Sequence, residues 1–190
     1  MKARMIPERP VYPSPAALVT SVDSEGRPNI ITLGEAYNLS VRRPVIVGIS
    51  IAKQRYSHAL ISASHEFVLN LPTAGMLEQV DQCGSCSGRD VDKFALTSLT
   101  PLRAEKVRAP LIEECPVNLE CGVLTVQEVG DHDLFIGKVL VQHADQDVLD
   151  DAGHLVVGKL DVLCFLNWEY WSLGEYLGRI RFTKRGGQRS

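Results

Sequence analysis

Cys83 and Cys86 stand three apart in the run CGSCSGRDVDKF, residues 83–94, with Arg89 and Lys93 close behind. Two chemistries compete for that stretch. A C-x-x-C pair signals a metal site or a dithiol, whereas small residues feeding a short basic helix suit the capture of an anion. A zinc site would have to add Cys115 and Cys121, whose five intervening residues depart from the usual knuckle spacing. A thioredoxin-like role lacks the βαβ surroundings that such a pair needs. Cys121 alternates with Leu119 and Val123, and Cys164 sits inside VLCFL, so both read as small buried hydrophobes.

A second cluster is Arg55, Ser57 and His58, directly after the apolar run that ends at Ile51. If a helix starts there, its unpaired N–H groups and dipole favour an anion beside Arg55. The alternative is a plain cap at Ser57 and a solvated arginine. Lys93 is open to the same alternative, because Arg89, Asp90, Asp92 and Lys93 cancel in charge and a solvated helix face would account for them. His132, in GDHD, falls where two β-rich runs meet and faces either a pocket or water. His65, His143 and His154 have no spaced partners and read as surface or capping residues. There is no Ser/His/Asp or H-E-x-x-H pattern, no strand-to-helix G-x-G-x-x-G and no phosphate-binding G-x-x-x-x-G-K-[ST].

The elements that must position these groups are mostly strands. AALVTSVD (16–23) and NIITL (29–33), joined by SEGRP, predict a hairpin. Val45 to Ile51 is β-branched, short and bounded by Pro44, which predicts a buried strand with a close approach at Gly48. Tyr56, Ala59, Leu60 and Ala63 share one helical face, giving a helix over 55–64 with Ser57 as its cap. EFVLN (66–70) reads as a strand, TAGMLEQV (73–80) as a short helix opened by Thr73, and DVDKFALTSL (90–99) as one opened by Asp90. VNLECGVLTVQEV (117–129) and LFIGKVLVQHAD (134–145) predict a long hairpin across GDHD, with Val139 and Val141 opposite the Leu119, Cys121, Val123 face. DVLCFLNWEYW (161–171) adds one more apolar, aromatic segment. Strand–helix alternation does not run the length of the chain, so the expected class is mainly β with short helices, a β-barrel with helices over its ends.

With 190 residues, 45% apolar and 23% charged, the chain fits one domain over 1–190, with a core of about 10–180 and a frayed polar tail over about 184–190. A net charge of −3 gives no field for nucleic acid. Pro7, Pro10, Pro13 and Pro15 break the N-terminal stretch, so neither a signal peptide nor a membrane span is expected there. Five cysteines, an odd number, point to free thiols and a cytoplasmic protein.

SPAALVTSVDSEGRPNIITLG (14–34), VGISIAKQRYSHALI (47–61), EFVLNLP (66–72), CGSCSGRDVDKF (83–94), APLIEEC (109–115) and GDHDLFIGKV (130–139) together resemble the flavin reductase-like, FMN-binding split-barrel family, and its flavoredoxin branch in particular. The resemblance covers roughly residues 10–180. It implies a split β-barrel, and a homodimer with FMN near the subunit interface. Arg55, Ser57 and Lys93 match positions that hold the FMN phosphate and ribityl end, with His58 close by. Asn29, Thr32, Leu33 and Gly34 match the strand and turn that edge the isoalloxazine, and Ser50 and Ile51 the strand end beside it. His132 matches a GDH motif near flavin and nicotinamide, so it is the expected catalytic residue, with NADH or NADPH as donor and a small molecule or protein as acceptor. The pattern departs at Glu35-Ala36-Tyr37, where relatives often place tryptophan, and at Cys86, where they tend to carry histidine. The implied function is an NAD(P)H-dependent flavin reductase without a metal. Its rivals are a flavoredoxin-like electron carrier reduced by a protein, and a cofactor-free or zinc-stabilised interaction module.

Overall fold

The computed structural model describes residues 1–7 and 11–184. In chain order the strands are β1 (Ser14–Pro15), β2 (Ala17–Val22), β3 (Pro28–Leu33), β4 (Ala36–Ser40), β5 (Ile46–Ala52), β6 (Glu66–Leu71), β7 (Pro101–Leu102), β8 (Leu111–Ile112), β9 (Val117–Val129), β10 (His132–Ala144), β11 (Leu163–Leu166) and β12 (Glu169–Ser172). The α-helices are α1 (Tyr56–Ser64), α2 (Leu77–Ser85) and α3 (Lys93–Thr97). Strands dominate and the helices are short, as the pattern predicts.

Seven strands form one sheet in the order β3-β2-β6-β9-β10-β5-β4. Its two edges, β3 and β4, are neighbours in sequence, and the sheet curls so that both reach one core. Ile31 and Leu33 from β3 and Ala36 from β4 share that core with Val19, Ile49, Ile51, Phe67, Cys121 and Phe135. This is a split barrel: curled around a common interior, with the two edges unpaired to each other. The long β9–β10 hairpin carries register shifts at Ile136/Gly137 and Val139/Val141, which bend it into the barrel wall. Val139 pairs with Cys121 as expected, but the second shift sets Val141 opposite Glu120. At Gly137 a Cβ would lie 2.8 Å from the Phe67 ring, so the glycine makes room for one of the two phenylalanines of the barrel interior.

A second core lies on the outside of β2 and β3. Leu18 and Ile30 meet Val80 and Cys83 of α2, Phe94 of α3, Ile112 of β8 and Leu163 of β11. Between the layers sits Asn70 of β6, fully buried. Its Nδ2 donates to the Leu18 carbonyl at 2.9 Å, and its Oδ1 accepts from the Ile112 N–H at 3.1 Å and from Asn118 Nδ2 at 2.8 Å. A buried amide is tolerable only when so satisfied.

Several local expectations need correction. Ser57 does not cap α1: the capping position is Arg55, and Ser57 lies inside the first turn, buried. Asp92, not Asp90, caps α3, its Oδ1 accepting from Phe94 and Ala95 N–H at 3.0 and 3.2 Å. Asp90 is held in a preceding turn by its N–H to Ser87 O, at 3.0 Å. Thr73 precedes a 3-10 turn, Ala74–Met76, without a side-chain cap bond. The helix that follows runs on through Cys83-Gly84-Ser85, because Gly84 lies against Thr32 and the Thr32 hydroxyl donates to Val80 O at 2.5 Å. Packing on β3 thus overrides the weak helix propensity of glycine. The 161–171 segment folds back as a hairpin, with Asn167 and Trp168 at φ 44 and 72 in its turn. The close approach expected at Gly48 comes from Leu39 and Leu134, each 3.0 Å from where a Cβ would be. Of the tail expected over 184–190, residues 185–190 lie outside the described residues.

Candidate functional site

A cavity of about 830 Å³ opens where β3, the β5–α1 loop, the end of α2, residues 86–89, the β9–β10 tip and the β11–β12 hairpin converge. That volume is in the range of small-molecule sites. Asn29, Thr32, Leu33, Gly34, Arg55, Ser57, Lys93 and His132 all line it. Residues scattered over a hundred positions are brought together because β3 runs along the floor while α1 and α3 start at its rim.

One end of the cavity is cationic. Arg55 stands at the start of α1, whose first N–H groups have no intrahelical acceptor. Lys93 is only 4% exposed, and its Nζ donates to Cys83 O at 2.6 Å. It is therefore not on a solvated face. Burial pushes the Lys93 ammonium below the ordinary lysine value, and the Arg55 charge adds to that, so an anion between them would relieve both. Arg89 lies over the Tyr56 ring, 5.0 Å from its centroid, and widens the positive rim.

The floor is built from polar side chains that are held in place. Asn29 Nδ2 donates to Ser57 Oγ at 2.7 Å, while Asn29 Oδ1 is buried without a hydrogen-bond partner. An orphaned buried acceptor costs about 1–3 kcal/mol, so the site carries an unmet polar group facing the lining. Gly88 closes over it: a Cβ there would fall 1.8 Å from Asn29 Oδ1. The other end is aromatic, with Ile31, Leu33, Phe165, Trp168 and Tyr170, and it also carries the carboxylates of Glu35 and Asp81, the latter accepting from the Tyr170 hydroxyl at 3.4 Å. Phe165 meets Tyr170 edge-on at 5.4 Å and Trp168 at 6.4 Å.

His132 sits at the rim, its Nδ1 2.8 Å from Asp131 Oδ1. That contact holds the Asp131 carboxyl below its ordinary value and fixes the ring through Nδ1. Three of the expected residues are not in the lining. Ile51 is in the barrel core. Ser50 stands behind the wall, its N–H donating to Glu35 O at 3.0 Å and fixing the turn after β3. His58 turns to β10, where its Nε2 lies 2.8 Å from Asp133 Oδ2 and its ring edge meets Phe135. His143 is not a surface residue without a partner, since it contacts the buried Glu120.

The cysteines do not converge. Cys121 belongs to the barrel core, and Cys83 and Cys115 to the second core. Burial pushes the Cys83 thiol up to about 11, which makes it a poor nucleophile. Cys86 lines the cavity but donates its thiol to Gln82 O at 3.2 Å. All five cysteines are free.

Residues 9–167 match the model of the flavin reductase-like domain. The chain belongs to the flavin reductase-like family. Its structure is similar to that of the flavoredoxin of Desulfovibrio vulgaris (Miyazaki F), with a TM-score of 0.90 and 30% identity, covering 97% of this chain and 100% of that one. It also resembles an FMN-binding protein from Thermus thermophilus, with a TM-score of 0.78 and 26% identity over 94% and 99% of the two chains. An uncharacterised protein of Archaeoglobus fulgidus is 39% identical over 136 residues, 71% of this chain and 75% of the relative. Within this flavin reductase-like site, sequence reasoning missed Gly88, Arg89, Tyr56 and the Phe165–Trp168–Tyr170 group as lining residues. Arg89 and Gly88 were legible as neighbours of the CGSC run. The aromatic group required knowing that β11 and β12 fold back on each other.

Proposed function

We propose that the cavity binds FMN and that the protein is an NAD(P)H-dependent flavin reductase-type oxidoreductase. The observation that carries this is the polarity of a single cavity, with Arg55, Lys93 and the α1 N-terminus at one end and Ile31, Leu33 and Phe165 at the other. Those residues suit the group. A phosphate dianion needs cations and N–H donors, each charge-assisted bond contributing about 1.5–3 kcal/mol. Association itself costs at least about 4 kcal/mol, and micromolar affinity requires about −8, so apolar burial of the ring must supply the difference. The Asn29–Ser57 pair, held under Gly88, gives the floor between the two ends a polar lining. The name of the FMN-binding neighbour supports the same cofactor.

When bound, FMN supplies hydride acceptance from NADH or NADPH at N5 and electron delivery to a small-molecule or protein acceptor. The protein's part is positioning. Arg55 and Lys93 fix the anionic end, the Asn29–Ser57 pair holds the middle, and β3 with Phe165 keeps water from the apolar end. His132, anchored by Asp131, orients the donor at the rim. Free thiols in every cysteine agree with a reducing, cytoplasmic setting.

We also propose a homodimer. The outward face of the sheet carries an apolar row: Tyr37, Gly48 and Ile136 stand side by side across β4, β5 and β10. Leu39 and Leu134 lie over Gly48, and Leu140 lies over Gly122. A contiguous exposed patch of this kind marks an interaction surface.

The purified protein is expected to be yellow, and rapid anaerobic mixing with NADH or NADPH to bleach the flavin band. Bleaching by neither nucleotide would remove the reductase reading and leave the carrier reading, which the flavoredoxin likeness favours. A colourless protein that takes up no added FMN would remove both. Gly88→Ala is expected to weaken FMN binding about tenfold, or ~1.4 kcal/mol, because the new methyl displaces the Asn29 amide. Titration of apo-protein measures it.

A further inference from the structure

After β12 the chain runs through residues 173–179 without regular structure. It carries Leu173, Tyr176, Leu177, Ile180 and Phe182, exposed to 51, 74, 87, 86 and 46%. Single exposed apolar residues are ordinary, but five within ten positions are not. Leu173, Tyr176, Leu177 and Ile180 follow the i, i+3, i+4, i+7 spacing of a buried stripe, and Glu175 and Arg179 fall between them. Gly174 and Gly178, the latter at φ 148, weigh against helix, so the segment gains no shelter by folding on itself. Among the described residues, the body of the same chain leaves these side chains exposed.

We propose that residues 173–182 form an exchanged arm that docks on a second copy of this chain, against the outer sheet face made by Tyr37, Leu39, Leu134, Ile136 and Leu140. The inference rests on the dimer reading above and specifies what holds the dimer. The argument for a second copy is that one chain carries both halves of the contact, an apolar segment and an apolar face. Both are exposed in the single chain: Leu39 is 47%, Leu140 44% and Tyr37 42% exposed. A two-fold axis would use each half twice. Because the arm leaves directly from the hairpin that bears Trp168 and Tyr170, docking would also brace the aromatic end of the cavity.

Sedimentation equilibrium of the full-length holoprotein and of the Leu177→Asp/Ile180→Asp variant tests this, alongside a photo-crosslinking benzoylphenylalanine in place of Leu177. Both altered side chains are exposed, so the fold is expected to be retained, with circular dichroism as the check. The expected result is a dimeric parent, a dissociation constant raised at least a hundredfold in the variant, and a dimer-mass crosslink mapping to β4 or β10. A monomeric parent would overturn the dimer reading and the arm with it. A dimer of unchanged affinity in the variant, or crosslinks confined to one chain or to another face, would overturn the arm alone.

Discussion

Glu120→Ala is expected to lower the unfolding free energy by about 3–5 kcal/mol, the largest effect of any substitution considered. Glu120 is fully buried on β9. Its carboxylate accepts the N–H groups of Glu105 and Lys106 at 2.9 and 2.6 Å and contacts His143 Nε2 at 2.7 Å. Removing it strands two amides and an imidazole and cuts two of the bonds that tie the 103–109 loop to the sheet. Glu120→Gln, which keeps the acceptor oxygen, should lose less. Burial by itself would raise this carboxyl, but the Glu105 N–H, His143 and the Lys106 N–H outweigh it, and the net position is below the ordinary value. With the folded-state value depressed, the stabilisation is present above the unfolded value of about 4.3 and is lost as pH falls through the folded one. Urea melts between neutral pH and pH 3 should therefore show a steeper acid loss in the parent than in Glu120→Ala. Equal slopes would remove Glu120 as the source.

Lys93→Met is expected to raise the FMN dissociation constant ten- to a hundredfold, equivalent to about 1.5–3 kcal/mol, while the barrel stays folded. Methionine keeps the buried stem and removes the charge, so the change isolates the ammonium. The effect should be large because Lys93 is desolvated beside Arg55, where a charge-assisted bond is least screened by water. It should also depend on pH. The ammonium's value is lowered, so the proton leaves as pH rises through it, and parent affinity should fall on the alkaline side. In Lys93→Met that alkaline fall should be absent. Fluorescence titration with FMN at several pH values reads both effects, and an unchanged dissociation constant would place Lys93 outside the phosphate end.

Strands whose sequence states their burial were readable from the chain alone. Val45 to Ile51 announces β5 by its β-branched run, and 17–22 and 28–33 announce their hairpin by the turn between them. β4 was missed because Tyr37, Asn38 and Leu39 are exposed on an edge strand and give no alternation to detect. Asp90 and Asp92 are both acceptable caps, and only the turn through Ser87 decides which one meets free N–H groups. His143 looked unpartnered because its partner lies opposite a bulge, where counting residues along two strands gives the wrong pairing. For the cavity, local signals located the cationic clusters at 55–58 and 89–93. That these two clusters face each other is a property of the curled sheet. Which of Ser57 and His58 turns inward depends on the first turn of α1 and on Asp133, a residue far away in sequence.

Asn70 has a consequence beyond satisfying its own amide. Its partners belong to β2, β8 and β9, and its strand is aligned with both large neighbours at this point, Asn70 opposite Leu18 and opposite Asn118. Sliding β6 by one step would turn the amide into the greasy interior and leave each of those three elements with a broken bond at once. One side chain thereby acts as a molecular key for closure: apolar contacts tolerate many alignments of these strands, but this amide accepts a single one.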